Sequence, residues 1–195
     1  MQAAIVLLAD YAVQNYARRI VIDLNQTSGV AFFASLMPAH VSLKQPFQFE
    51  SLDALDRYTA ALAGQIVPFE IRLDSLYADE WSGYGILGLR VVETPTLREL
   101  HNRLNRELSQ IVRDARAAFD GPDYRFHLTI EMGRLAGSNP FQAYLDAHKE
   151  PQVSLAFTAK ALAVFLYTGE PHVAGSFVTY KVLPLTGQPS ATGMA

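Results

Sequence analysis

Cysteine is absent from the 195 residues, which excludes disulfides, zinc–thiolate sites and cysteine nucleophiles. No apolar run reaches the ~18 residues that a membrane-spanning helix requires. The opening MQAAIVLLADYAVQNYARRI has neither a basic leader nor the small-residue cleavage pattern of a secretory signal, so the expected location is the cytoplasm and no membrane partner is expected. Excess positive charge is also missing: 16 Lys and Arg stand against 19 Asp and Glu, a net charge of −3. That balance disfavours binding along an extended duplex, whose affinity comes largely from many phosphate contacts. It permits a site that holds a single phosphate. Neither a P-loop nor a dinucleotide-binding glycine motif occurs, so ATP-dependent ligation is disfavoured and no cofactor is expected.

Half of the residues are hydrophobic, enough for one substantial core or for two small lobes that share one. Residues 3–9 read as a buried strand, and 11–24 as a helix with Tyr16, Ile20 and Leu24 at helical spacing. A short strand at 39–43 is expected to end before Pro46. A helix over 51–63 has Ser51 as its N-cap and Gly64 as its stop. Strands follow at 67–73 and 84–92, joined by a loop containing Asp79, Glu80 and Trp81. The clearest helix spans 96–112, where Leu97, Leu100, Leu104, Leu108 and Ile111 form one apolar stripe. A DGPD turn at 120–123 leads into a strand at 125–131. A helix over 140–147 begins with proline after Asn139 as its cap. The last strands are expected within 153–167 and at 176–183, with 186–195 as a loose tail.

A histidine-bearing strand, a helix and two strands therefore occur twice in the same order, at 39–92 and 125–183. The recurrence predicts an α+β fold of two lobes within residues 1–185. Each lobe would carry a mainly antiparallel sheet with helices on one side, and the open sides would face each other across a groove.

The two histidine strands read His40-Val41-Ser42-Leu43 and His127-Leu128-Thr129-Ile130. Side chains alternate faces along a strand. Each strand thus offers one imidazole and one hydroxyl to the same side, with an apolar back for the helices. Opening a cyclic phosphodiester needs a base that takes a proton from water and an acid that protonates the departing ribose oxygen. Histidine can do either near neutral pH. Ser42 and Thr129 could donate to non-bridging phosphate oxygens, and neither a metal nor a covalent intermediate is required.

These paired His-x-Ser/Thr motifs, HVSL at 40–43 and HLTI at 127–130, resemble the two-histidine phosphoesterase superfamily, which includes bacterial RNA 2',3'-cyclic phosphodiesterases, also called 2'-5' RNA ligases. The likeness in element order covers residues 3 to 183. It implies a bilobal, pseudo-twofold fold with His40 and Ser42 forming one half of a central site and His127 and Thr129 the other. The implied substrates are RNA or oligonucleotide ends, or small cyclic phosphates.

Other side chains are weaker candidates. Strict alternation puts Lys44 on the His40 face and Arg125 on the His127 face, where either could bind phosphate; Arg134 lies beyond a glycine. Phe47, Trp81, Tyr84, Tyr124 and Phe177 are placed to stack on a base, although packing roles are the simpler expectation for each. Glu131 reads as a solvated strand end without a second carboxylate for a metal. His101, on the polar side of its helix, His148 and His172 read as surface residues.

Overall fold

A computed structural model describes residues 1–28, 37–110, 112, 120–135, 137–148, 152–167 and 177–188. His172 and Ile111 lie outside them. Among the described residues, eight strands and four helices follow one another: β1 Gln2–Leu8, α1 Tyr11–Ser28, β2 His40–Gln48, α2 Leu52–Ala63, β3 Phe69–Trp81, β4 Tyr84–Val91, α3 Pro95–Leu108, β5 His127–Arg134, α4 Pro140–Ala147, β6 Gln152–Ala159, β7 Ala161–Tyr167 and β8 Phe177–Pro184. None of the described helices is long and apolar enough to cross a membrane.

Each helix starts where a side chain satisfies an orphan backbone N–H of the first turn. Asp10 accepts from the Val13 amide at 3.0 Å, and Ser51 accepts from Ala54 at 3.2 Å. Thr94 and Asn139 do the same for α3 and α4, each ahead of a proline at the first helical position.

Two sheets are expected from the sequence; there is one, in the order β6-β3-β4-β5-β2-β1-β7-β8. It consists of two four-stranded halves. Within each half the antiparallel ladders are long, whereas β2 and β5 meet only at Val41 and Leu128. This bridge is the seam of the molecule. Most strands that follow a histidine strand pair in the half that holds the other one: β3 and β4 join β5, and β7 and β8 join β1, while β6 stays in the half of β5 beside β3. Helices cross in the same way, α1 packing on β5 and α3 on β2. The crossing binds the halves into one core, in which Val13, Leu24, Leu43, Leu104, Leu128 and Phe141 are fully buried.

Several strands run longer than the sequence suggests. β2 continues through Pro46 to Gln48, and the stretch with Asp79, Glu80 and Trp81 is strand rather than loop. The hairpin turns at Ser82 and Gly83, both at positive φ (50° and 78°), the backbone of a tight two-residue turn that matches strand twist. The run from 153 to 167 breaks at Lys160 into β6 and β7. The expected tail is held at its start, where the Thr186 and Gly187 amides donate to the carbonyls of Ala63 and Ile66 at 3.2 and 3.0 Å.

Candidate active site

Both histidine strands show the same burial rhythm. His40, Ser42, His127 and Thr129 are half-buried, while Val41, Leu43, Leu128 and Ile130 are buried in the core. Antiparallel pairing at Val41–Leu128 sets His40 beside Thr129 and Ser42 beside His127 on one face of the sheet, opposite Val41 and Leu128. The structure thus brings the four motif side chains into one square across the seam.

The imidazoles are held in the same manner. His40 Nδ1–H donates to the Pro38 carbonyl at 2.8 Å, and His127 Nδ1–H donates to the Arg125 carbonyl at 2.9 Å. A carbonyl can only accept, so the bond fixes the tautomer and leaves Nε2 of each ring as the atom available for proton exchange. None of the described hydrogen bonds engages either Nε2. Burial lowers both pKa values, His40 to about 4, because a charged imidazole loses hydration there. The carbonyl bonds oppose that shift. The charge of His127 lowers His40 further; Arg90 lowers His127 and Asp79 raises it.

Helix side chains fix the backbone just ahead of each motif. The Gln14 amide on α1 grips Ala39 from both sides, accepting from its N–H at 2.8 Å and donating to its carbonyl at 2.9 Å. Arg98, at the same place in α3, donates to the Tyr124 and Gly121 carbonyls.

A β-bulge lies immediately beyond each hydroxyl. Val6 pairs with Ser42 and Ile5 with Lys44, so Leu43 is the extra residue. Gly88 pairs with Thr129 and Leu87 with Glu131, so Ile130 is the extra residue. An extra residue inverts the alternation downstream. Lys44 therefore does not share the His40 face: it is 1% exposed, paired with Asp120 and donating to Asn105 Oδ1 at 2.8 Å. A phosphate-binding role for it at the site is excluded by that placement. Glu131 is likewise fully buried rather than solvated, and the inversion carries Arg134 to the motif face, where it lies over Tyr84 at 5.6 Å.

His101 is not a surface residue either. It is fully buried, and its Nδ1–H donates to the Leu43 carbonyl at 2.8 Å, at the first bulge. Its Nε2 accepts from the Gly121 amide at 3.2 Å. Tyr124 stacks on it at 4.6 Å and donates to the Ser42 carbonyl at 3.1 Å. Lys44, His101, Asn105, Asp120 and Tyr124 thus form a polar cluster behind Ser42. Its sequence signal was a lysine on a strand that periodicity alone put on the wrong side.

Arg125 is exposed and shares the phase of His127. Among the aromatics, Phe47 and Tyr124 are buried, Trp81 is exposed, and Tyr84 and Phe177 are half-buried. His148 lies at the surface, 3.2 Å from Asp23. Among the described residues, no group of three His, Asp or Glu side chains is arranged to hold a metal ion. Sequence reading missed Arg90 and Tyr77. Arg90 is the register partner of His127, and its guanidinium lies over the Tyr77 ring at 4.6 Å.

The family model of the 2'-5' RNA ligase superfamily matches residues 17–171. No curated protein matches the sequence. Among solved structures, TT0787 of Thermus thermophilus superposes with a TM-score of 0.68 at 16% identity, covering 97% of this chain and 100% of its own. E. coli LigT complexed with 3'-AMP gives 0.60 at 13% identity, with coverage of 95% and 98%. Usb1 of Kluyveromyces marxianus gives 0.52 at 16%, with 94% and 98%. Fold, motif pair and family match agree: the chain belongs to the 2'-5' RNA ligase superfamily, the two-histidine phosphoesterases.

Proposed function

We propose that the seam hydrolyses 2',3'-cyclic phosphodiesters at RNA or oligonucleotide ends without a metal, with His40 and His127 as the acid–base pair. The observation that carries this reading is the matched pair of Nδ1 hydrogen bonds, which leaves two Nε2 atoms for the same square. One neutral imidazole takes a proton from water as the water oxygen bonds to phosphorus. The other, protonated, gives its proton to the ribose oxygen as the phosphorus–oxygen bond breaks. The phosphate monoester remains on one ribose oxygen, and a second proton exchange with solvent restores the pair. Ser42 and Thr129 hold the non-bridging oxygens. Burial disfavours the charged imidazole, and the phosphate anion offsets this by favouring protonation of one ring.

The same groups run in reverse would join ends without ATP at high concentrations of both. A small cyclic phosphate, such as a nucleotide or an ADP-ribose derivative, is a second reading. It is favoured by the small nucleotides named with LigT structures, 3'-AMP, ATP and NADP+.

The test is product analysis of a 2',3'-cyclic-phosphate oligonucleotide beside the matching mononucleotide, with EDTA present, for the wild type, His40→Ala and His127→Ala. Oligonucleotide turnover that both substitutions abolish supports the reading. Turnover confined to the mononucleotide moves the assignment to small cyclic phosphates. Activity that survives both substitutions refutes the two-histidine mechanism, and a wild type that binds these ends without turning them over is a binding module.

A further inference from the structure

The strands bearing the site run β2, β5, β4, β3 across the sheet. Seen from His40, His127 on β5 comes next, then Arg90 and Gly88 on β4, then Tyr77 on β3. The reacting phosphorus must sit between the two imidazoles. A group beyond His127 therefore meets a different part of the substrate.

Arg90 is such a group. It is the register partner of His127, on the same open face and exposed. Arg72, Arg98 and Arg103 pair with Glu70, Glu93 and Glu107. Among the described residues no hydrogen bond or ion pair engages the Arg90 side chain, although acidic side chains outnumber basic ones in the chain. Its described contact is the Tyr77 ring, with Cζ 4.6 Å from the centroid, which supports the guanidinium from one side and leaves its N–H donors to solvent.

The platform is itself built in. Tyr77 is the register partner of Gly88, which is the partner of Thr129. A Cβ on Gly88 would lie 2.7 Å from Tyr77 Cε1 and 2.9 Å from the Leu128 carbonyl. Glycine there lets the ring lie across β4, 6.4 Å between centroids from the His127 ring and nearly perpendicular to it. Arg125, exposed two residues before His127, adds a second cation on that side. Across the seam the equivalent face is apolar: Val6, Ala163 and Phe165, with Leu8, Met37 and Tyr167 packed against them. Among the described residues, Arg90 and Arg125 place two cations on the His127 side against the one carboxylate of Asp79, so an anionic chain leaving the site is favoured there over the apolar side.

We infer that Arg90, laid over Tyr77, binds the phosphate next to the reacting one, so that the site favours an oligonucleotide end over an isolated cyclic mononucleotide. The inference rests on the phosphodiesterase reading above and names the substrate length it implies. A planar guanidinium with free donors suits a phosphate diester.

The experiment measures kcat and KM for a 2',3'-cyclic mononucleotide and for a tetranucleotide ending in the same cyclic nucleotide, at two salt concentrations. The proteins are the wild type, Arg90→Ala and Arg90→Lys, with circular dichroism to verify the fold. The expected result is that Arg90→Ala lowers the preference for the tetranucleotide, the ratio of its kcat/KM to that of the mononucleotide, about tenfold, mainly through the KM of the tetranucleotide, while any shift of the pH profile through His127 is common to both substrates. Its salt slope should fall by roughly one charge contact, and Arg90→Lys should recover part of the loss. Equal losses on both substrates would overturn the inference, placing Arg90 on the reacting phosphate. Unchanged values on both would also overturn it, leaving a surface cation–ring contact. A wild type that turns over neither substrate sinks the phosphodiesterase reading, an outcome distinct from either.

Discussion

The two halves of the sheet share a backbone plan and differ in what they show at the seam. Each contributes a histidine strand with a hydroxyl two residues on, an Nδ1 bond to the carbonyl two residues back, and a bulge immediately after the hydroxyl. Around His40 the open face is apolar, and the ring lies nearly perpendicular to that of Phe165, 4.8 Å between centroids. Around His127 it is polar, with Tyr77, Asp79 and Arg90 in reach. Behind the strands the contrast continues, because the first bulge buries a lysine and the second a glutamate. Symmetry of the chain trace thus places the imidazoles as equivalents, and the side chains around them make the two rings chemically unequal. Acid–base catalysis at one phosphorus needs such a pair, since one ring must enter neutral and the other charged.

Removing either member should have the largest effect. His40→Ala and His127→Ala are each expected to cut hydrolysis by about 10²–10⁴-fold, measured as kcat with the cyclic oligonucleotide. If only one of them matters, the halves are not partners in one site. Next comes the buried ion pair behind β2. Asp120→Ala leaves Lys44 buried without its carboxylate, and a loss of about 3–5 kcal/mol in urea unfolding is expected. Lys44→Met together with Asp120→Leu should recover much of that loss, since an apolar pair of similar volume avoids the desolvation cost. Ser42→Ala and Thr129→Ala should each lower kcat by about 10²–10³-fold if each hydroxyl donates to a developing oxyanion. A large gap between the two would show that the halves divide this task unequally.

The smallest effect expected is on pH dependence. His40 titrates near 4 in the folded chain against an ordinary 6.5. The unfolded chain therefore takes up a proton that the folded chain refuses, and stability falls as the pH drops from about 6.5 to about 4. His40→Gln should flatten that limb of the stability curve by about 3 kcal/mol at most. Phe165→Ser should move the His40 titration, followed by NMR, back toward 6.5 and leave His127 in place.

Much of this was legible in the sequence. The motif strands announced themselves through alternation, because His and Ser or Thr fall on one phase and Val, Leu and Ile on the other. The helix starts were legible from Ser51 and Asn139, whose side chains do cap. What alternation could not show is a break in its own period. The bulges at Leu43 and Ile130 leave no local signature, and they overturn the placement of Lys44 and Glu131. His101 misled for a related reason: helical spacing put it off the leucine stripe, yet the strand carbonyl and loop amide it serves lie far away in sequence. The single sheet was hidden as well, since the union of its halves depends on one bridge, Val41 to Leu128, which no pattern within either strand encodes. Arg90 and Tyr77 were passed over because their relation to His127 is a matter of register across three strands.

In the proposed mechanism the two imidazoles act as one unit. The direct test is the double variant His40→Ala/His127→Ala beside each single variant, under single-turnover conditions with a 2',3'-cyclic oligonucleotide and EDTA. The double variant is expected to be no slower than the slower single variant by more than a few-fold, because a pair that acts in one step is lost with either member. Losses that multiply, or a single variant that retains wild-type turnover, would contradict it.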